Sequence, residues 1–214
     1  MNTLLITIVP SILILLYFFL SDRFKEPKGS VALVFFLGIL ICLPAGIINS
    51  FMHDNFNDGS DLSEALYSSF LGPAWGEELL KFIILYFVVL RRNEFNEPMD
   101  GIVYGVTVSL GFATYENYTY VYIFAETWDI LPSQMAIWRS YSAVPMHGLN
   151  GCIMGFYFGM YAFTAEKKYL VLSLLILVAS FMFTVWFAAK IYRVGILMYG
   201  KKPSYKELIK WIKY

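Results

Sequence analysis

The chain has 214 residues, 58% of them hydrophobic and 19% aromatic, with 15% charged and a formal net charge of zero. A mean hydropathy of +0.60 and long apolar runs along the whole chain exclude an ordinary soluble domain, and the balanced charge gives no basis for a nucleic-acid partner. The runs lack the polar–apolar alternation of an outer-membrane barrel, so the expected fold is all-α. It is a polytopic integral membrane bundle of about six to seven helices, forming a single membrane domain over 1–214.

The first run, MNTLLITIVPSILILLYFFL, has no basic residue ahead of it. It is long enough to cross a bilayer, so it reads as a retained span over roughly 3–20 rather than a cleaved leader. Further spans are expected at roughly 31–51, 64–90, 99–124, 134–163 and 169–191. The third and fifth exceed the ~20 residues that a bilayer needs. Pro73 and Pro145 are their expected kink points, because proline removes a backbone donor and its ring clashes one turn back. Basic residues follow the first span (Arg23, Lys25, Lys28), the third (Arg91, Arg92) and the fifth (Lys167, Lys168), whereas 52–63 and 125–133 contain no Lys or Arg. The positive-inside rule therefore puts the first set of loops in the cytoplasm and the N-terminus outside. The tail at 200–214 is basic again, against that alternation, and SYKELIKWIKY reads as an interfacial amphipathic helix or as a solvated basic tail. Cys42 and Cys152 each sit in an apolar run and suggest neither a disulfide framework nor a metal pair.

An ionisable group in the hydrocarbon region costs about 2.5–3.5 kcal/mol on insertion, so each one calls for an explanation. Glu77, Glu78 and Lys81 lie on the third span, Glu116 on the fourth, and Arg139 and His147 on the fifth. At 1.5 Å per residue, Glu77, Glu116 and His147 stand roughly 20–25 Å above the cytoplasmic ends of their helices, in the outer half of the membrane. Agreement of three helices to within about one turn marks a shared site more readily than scattered packing polars. Lys81 is three residues after Glu78 and four after Glu77, so either carboxylate can pair with it on one face. Taken singly, each group also has a structural explanation: a buried ion pair, an interhelical hydrogen bond, or a packed histidine. Arg139, near the outer end of its span, is expected to snorkel, and His53 to be solvated in an outer loop. Gly148, Gly151, Gly155 and Gly159 form a small-residue stripe on the fifth span, and Gly101, Gly105 and Ser109 another on the fourth. Such stripes let helices approach closely. The sequon Asn117-Tyr118-Thr119 lies within a span and is read as coincidental.

These residues resemble the motifs of the PrsW family of intramembrane proteases, a family within the CAAX protease superfamily. EExxK is present as Glu77, Glu78 and Lys81, FxxxEN as Phe112, Glu116 and Asn117, and a histidine motif as His147 in HGLNG. The flanks DGIVYG, SLGFATYEN and GCIMGFYFG look similar too, so the resemblance covers a motif-bearing core at roughly 60–165. The family's later HxxxD motif has no counterpart: the corresponding span reads LSLLILVASFMFTVWFAAK, without His, Asp or Glu. The resemblance implies a multi-pass protease of a bacterial cell membrane that cuts membrane-anchored proteins such as anti-sigma factors.

In that frame Glu77, Glu78, Glu116 and His147 are the expected catalytic set, supported by Lys81 and Asn117. Glu77 would be the base that activates water, with Lys81 fixing Glu78. Glu77, Glu116 and His147 are the candidate ligands of a divalent metal such as zinc, although one histidine is fewer than catalytic zinc sites often use. A metal-free glutamate mechanism with His147 in an oxyanion role is the other route. Two other functions compete with proteolysis. A non-catalytic pseudoprotease would bind single-span membrane proteins without cutting them, and a small proton- or cation-coupled transporter would use the same acids as a relay.

Overall fold

A computed structural model describes residues 2–57, 59–60, 63 and 75–169, and beyond them 171–172, 175–176 and 179. The chain divides into two compact units, Met1–Ser173 and Leu174–Tyr214, and the elements named below belong to the first. The start of the expected third span with Pro73, most of the sixth span and the basic tail lie outside the described residues.

Among the described residues there is no strand. Helix α1 (Thr3–Ser21) begins where the Asn2 side chain accepts the Leu4 N–H at 3.0 Å, which satisfies one of the donors that a helix start leaves unpaired. Helix α2 (Lys28–Phe56) starts after Pro27 and runs past the expected end of its span. His53 therefore lies in the last turn of a helix and not in a loop; its side chain is exposed. Among the described residues α1 and α2 are the two helices long and apolar enough to cross a membrane. Helix α3 (Glu77–Ile84) continues as a π-helical turn, Leu85–Val89. Helix α4 (Pro98–Thr119) opens with proline in its first turn and a capping box between Glu97 and Asp100, and it too passes into a π-helical turn, Tyr120–Phe124.

The single span expected at 134–163 is instead two helices, α5 (Pro132–Tyr141) and α6 (Ala143–Thr164), separated at Ser142. The reason lies in Pro145. Its ring would clash with the carbonyl four residues earlier, that of Tyr141, and it has no N–H to give it. The first helix ends at Tyr141, and Pro145 falls in the first turn of the next, where a missing N–H matters least.

Helix α4 is the centre of the unit, with α6, α2 and α1 as its main neighbours. Its side chains from Val103 to Ala113 are all buried. The two expected small-residue stripes face each other. A Cβ on Gly105 would stand 2.8 Å from the Gly155 Cα, and one on Gly101 2.9 Å from the Gly159 Cα. No side chain fits there, so α4 and α6 touch backbone to backbone.

The three loops expected on the cytoplasmic side meet at one end of this bundle. Ser30 donates to Glu94 at 2.5 Å, and Arg92 Nη1 donates to Ser30 at 2.9 Å and to Glu94 at 2.8 Å. Phe95 stacks on Phe163 with ring centres 5.6 Å apart, which brings in the end of α6. The hydrogen bonds from Ser30 and Arg92 hold the Glu94 carboxyl down at about 2, below its ordinary 4.5.

Candidate active site

The other end of the bundle gathers charge from four helices. Glu77 and Glu78 occupy the first turn of α3 and Lys81 the next. Glu116 lies on the last turns of α4, Arg139 on the last turn of α5, and His147 on the second turn of α6. Glu77, Glu116 and His147 each place one ligand atom so that all three lie within 4.8 Å of one another. Three separate helices thus bring these groups of similar expected depth to one meeting point.

Two fixed cations sit among these acids. Lys81 is fully buried, and its Nζ donates to Glu78 Oε1 at 2.7 Å. Of the two carboxylates within reach of Lys81, the structure pairs it with Glu78. Nζ also lies 3.1 Å from His147 Nδ1 and 4.3 Å from the centre of the Phe112 ring. An ammonium can only donate, so Nδ1 accepts, which leaves the Nε2–H of a neutral imidazole to donate to Glu116 Oε2 at 3.1 Å. The lysine therefore selects the tautomer that holds Glu116.

Arg139 is the second cation, and here the expected snorkelling residue turns inward. Its Nη2 donates to Glu116 Oε2, and its Nε donates to Asn117 Oδ1 at 2.6 Å. The guanidinium also lies 3.8 Å over the Tyr120 ring. Only 12% of its side chain is exposed. Burying a charge is tolerable when it is paired and hydrogen-bonded, and Glu116 supplies that pairing. Asn117 is fully buried and its amide donates to the Thr7 carbonyl at 3.4 Å, linking the site to α1.

Two further residues shape the site: Asn49, which the sequence did not single out, and Phe112, which it gave as part of FxxxEN without a role. Asn49, on α2, donates to Glu77 Oε1 at 3.4 Å. Phe112 lies one turn before Glu116 on the same face of α4, with its ring against Lys81 and 5.6 Å from the imidazole of His147. The FxxxE spacing carries its position: residues four apart on a helix share a face, so the aromatic forms an apolar wall beside the carboxylate.

Residues 26–200 match the PrsW family intramembrane metalloprotease. The chain belongs to the PrsW family. It is 37% identical over 162 residues to Protease PrsW of Geobacillus kaustophilus (strain HTA426), covering 75% of this chain and 67% of that one. It is 39% identical over 174 residues to Protease PrsW of Bacillus subtilis (strain 168), covering 79% and 74%. With Protease PrsW of Clostridioides difficile (strain 630) the identity is 31% over 181 residues, covering 82% and 74%. No solved structure matches the chain. Membership in the PrsW family and the two long apolar helices place the protein in a membrane, with a protease's need for a protein substrate.

The family name implies a metal, and the donors can be judged on their own chemistry. Two carboxylate oxygens and one imidazole nitrogen are a set that divalent metals accept. Among the described residues, no Lys or Arg forms an ion pair with Glu77, so one ligand is uncommitted. The cluster Glu77, Glu116 and His147 fits a divalent ion with the imidazole in its other tautomer, in which Nε2 is free to ligate and Nδ1 carries the proton in place of its contact with Lys81.

Proposed function

We propose that the protein is a multi-pass intramembrane protease of a bacterial cell membrane that cleaves membrane-anchored proteins, anti-sigma factors among them, at the cluster of Glu77, Glu116 and His147. The observation that carries this reading is the convergence of these three groups, from three helices, within 4.8 Å. Glu77 is the general base: it takes a proton from the attacking water and returns it to the leaving amine. Glu78 stays tied to Lys81, which keeps the helix turn that presents Glu77 in place. Arg139 and the Nε2–H of His147 hold Glu116 in one orientation. Phe112 walls off one side and keeps water low around the charges. A divalent ion held by Glu77, Glu116 and His147 would take Nε2 of His147 as a ligand in place of its hydrogen bond to Glu116, and would supply Lewis-acid polarisation of the scissile carbonyl.

The test compares the N-terminal peptides of membrane proteins in cells that carry wild type or Glu77→Gln at matched expression. Cleavage products present only with wild type are expected, and they name the substrate. Identical peptide profiles from folded, abundant protein would sink the reading. A second reading, a relative that binds single-span proteins without cutting them, is favoured by the span LSLLILVASFMFTVWFAAK, which carries no acid or histidine. Capture of an uncut single-span protein by both forms would support it.

A further inference from the structure

The loop end of the bundle holds a second cluster, of acids alone. Asp22 follows α1, and Glu97 and Asp100 open α4. Each of the three puts a carboxylate oxygen within 4.8 Å of the other two. Glu97 comes within hydrogen-bonding reach of Asp22, and Glu26 within reach of Asp100. Asp22 and Asp100 are 2% and 1% exposed. Part of this cluster is explained by local structure. Asp100 Oδ2 accepts the backbone N–H groups of Asn96 and Glu97 at 2.8 and 2.9 Å, Asp22 Oδ1 accepts that of Phe24 at 3.1 Å, and Glu26 Oε2 accepts the Tyr104 hydroxyl at 2.5 Å.

Glu97 accepts the Asp100 N–H in the capping box, and two oxygens of the cluster remain unexplained. Asp22 Oδ2 and Asp100 Oδ1 are buried and have no hydrogen-bond partner. Among the described residues no Lys or Arg forms an ion pair with Asp22, Glu26, Glu97 or Asp100. A buried carboxylate oxygen facing other carboxylates is costly unless something positive lies between them.

We propose that Asp22, Glu97 and Asp100 bind a hard divalent cation, calcium or magnesium, which fastens the end of α1 to the start of α4. The donors are all carboxylate oxygens, the chemistry these ions prefer and zinc sites with nitrogen and sulfur donors do not need. Glu26 stands beside Asp100 as a fourth oxygen donor. The site is separate from the protease cluster: it sits at the opposite end of α4, the helix that carries Glu116. Its role is structural, fixing α4 lengthwise against α1.

The test uses full-length protein in detergent or nanodiscs, with Glu77→Gln as the background so that the other cluster does not contribute. Cation binding is measured by equilibrium dialysis with elemental analysis, and the melting temperature is followed as calcium or magnesium is added after chelation. One calcium or magnesium per chain is expected, with a saturable rise in melting temperature. Adding Asp22→Asn, which keeps the acceptor for the Phe24 N–H, should weaken binding at least tenfold. Glu97→Gln is the second variant should Asp22→Asn fold poorly, and it should do the same. Absence of a bound ion, or equal binding in both variants, would overturn the proposal. A melting temperature that rises on acidification but ignores both cations would overturn it too, and would assign a shared proton to the cluster instead.

Discussion

The two ends of α4 handle crowded carboxylates in opposite ways. Around Glu116, three acids are interleaved with two cations that belong to the chain, Lys81 and Arg139. Around Asp100, the described residues bring acids with no cation paired to them, and two buried oxygens are left without partners. In the first arrangement Lys81 pairs with Glu78 and Arg139 with Glu116, which leaves Glu78 Oε2 buried without a hydrogen-bond partner and Glu77 without a paired cation among the described residues. The second is complete only with a charge from outside. The same helix thus carries one site whose electrostatics are internal and one whose electrostatics depend on solution conditions.

The largest effect expected from breaking this contrast is on the chemistry. Glu77→Gln keeps shape and polarity while removing the proposed base, so cleavage of the substrate should fall by about 10²-fold or more with no loss of folded protein. Quantitative immunoblotting of the cleaved substrate, beside the intact enzyme, reads both quantities.

Neutralising one acid at each end should next give opposite signs. Glu78→Gln strands the buried Lys81 ammonium and should destabilise by about 3–5 kcal/mol, the usual consequence of removing one partner from a buried pair. Asp22→Asn in chelator removes repulsion and should raise the melting temperature. The same sign at both ends would erase the distinction. Arg139→Met should behave like Glu78→Gln, and Arg139→Met combined with Glu116→Gln should be milder than Arg139→Met alone, because no unpaired charge remains.

A smaller cost is expected between the two ends. Gly105→Ala drives a methyl against the α6 backbone, which overpacking data place at about 1–3 kcal/mol. Because the pair α4 and α6 also presents Glu116 and His147, activity should fall together with stability, which separates this variant from Glu77→Gln.

The smallest effect belongs to the loop network at the acid-only end. The Glu94 carboxyl is depressed to about 2 from 4.5, so its contribution is present above pH 4.5 and is lost as pH falls towards 2. Hydrogen exchange of residues 90–97 should accelerate across that window in wild type and be fast at all pH values in Glu94→Gln.

Much of this arrangement could be read in advance because it follows from periodicity. The small-residue stripes repeat every three or four positions, so a close helix approach at each was legible, while their contact with each other is seen only in the structure. The meeting of Glu77, Glu116 and His147 was legible because the rise of a helix converts sequence distance into depth. Three features depend on tertiary placement and were not. Pro145 signals a disturbance, but only the structure shows that the helix ends and restarts at Ser142. Arg139 near a helix end can snorkel or pair, and the choice depends on where a carboxylate 23 residues away comes to lie. Asp22, Glu97 and Asp100 look like solvated turn residues until the end of α1 is seen to meet the start of α4.

The burial of α4 bears on how the protein is made. Helices α1 and α2 are apolar enough to enter a bilayer alone. Helix α4 carries Asp100, Thr107, Ser109, Glu116 and Asn117, and hides nearly all of them against its neighbours. Two of those neighbours precede it in the chain, while α6, which covers its glycine face, follows. During synthesis α4 therefore emerges after α1 and α2 and before the helix that covers its glycine face. A helix with so many polar groups would be costly in lipid by itself, and its glycine face is covered only once α6 has been made.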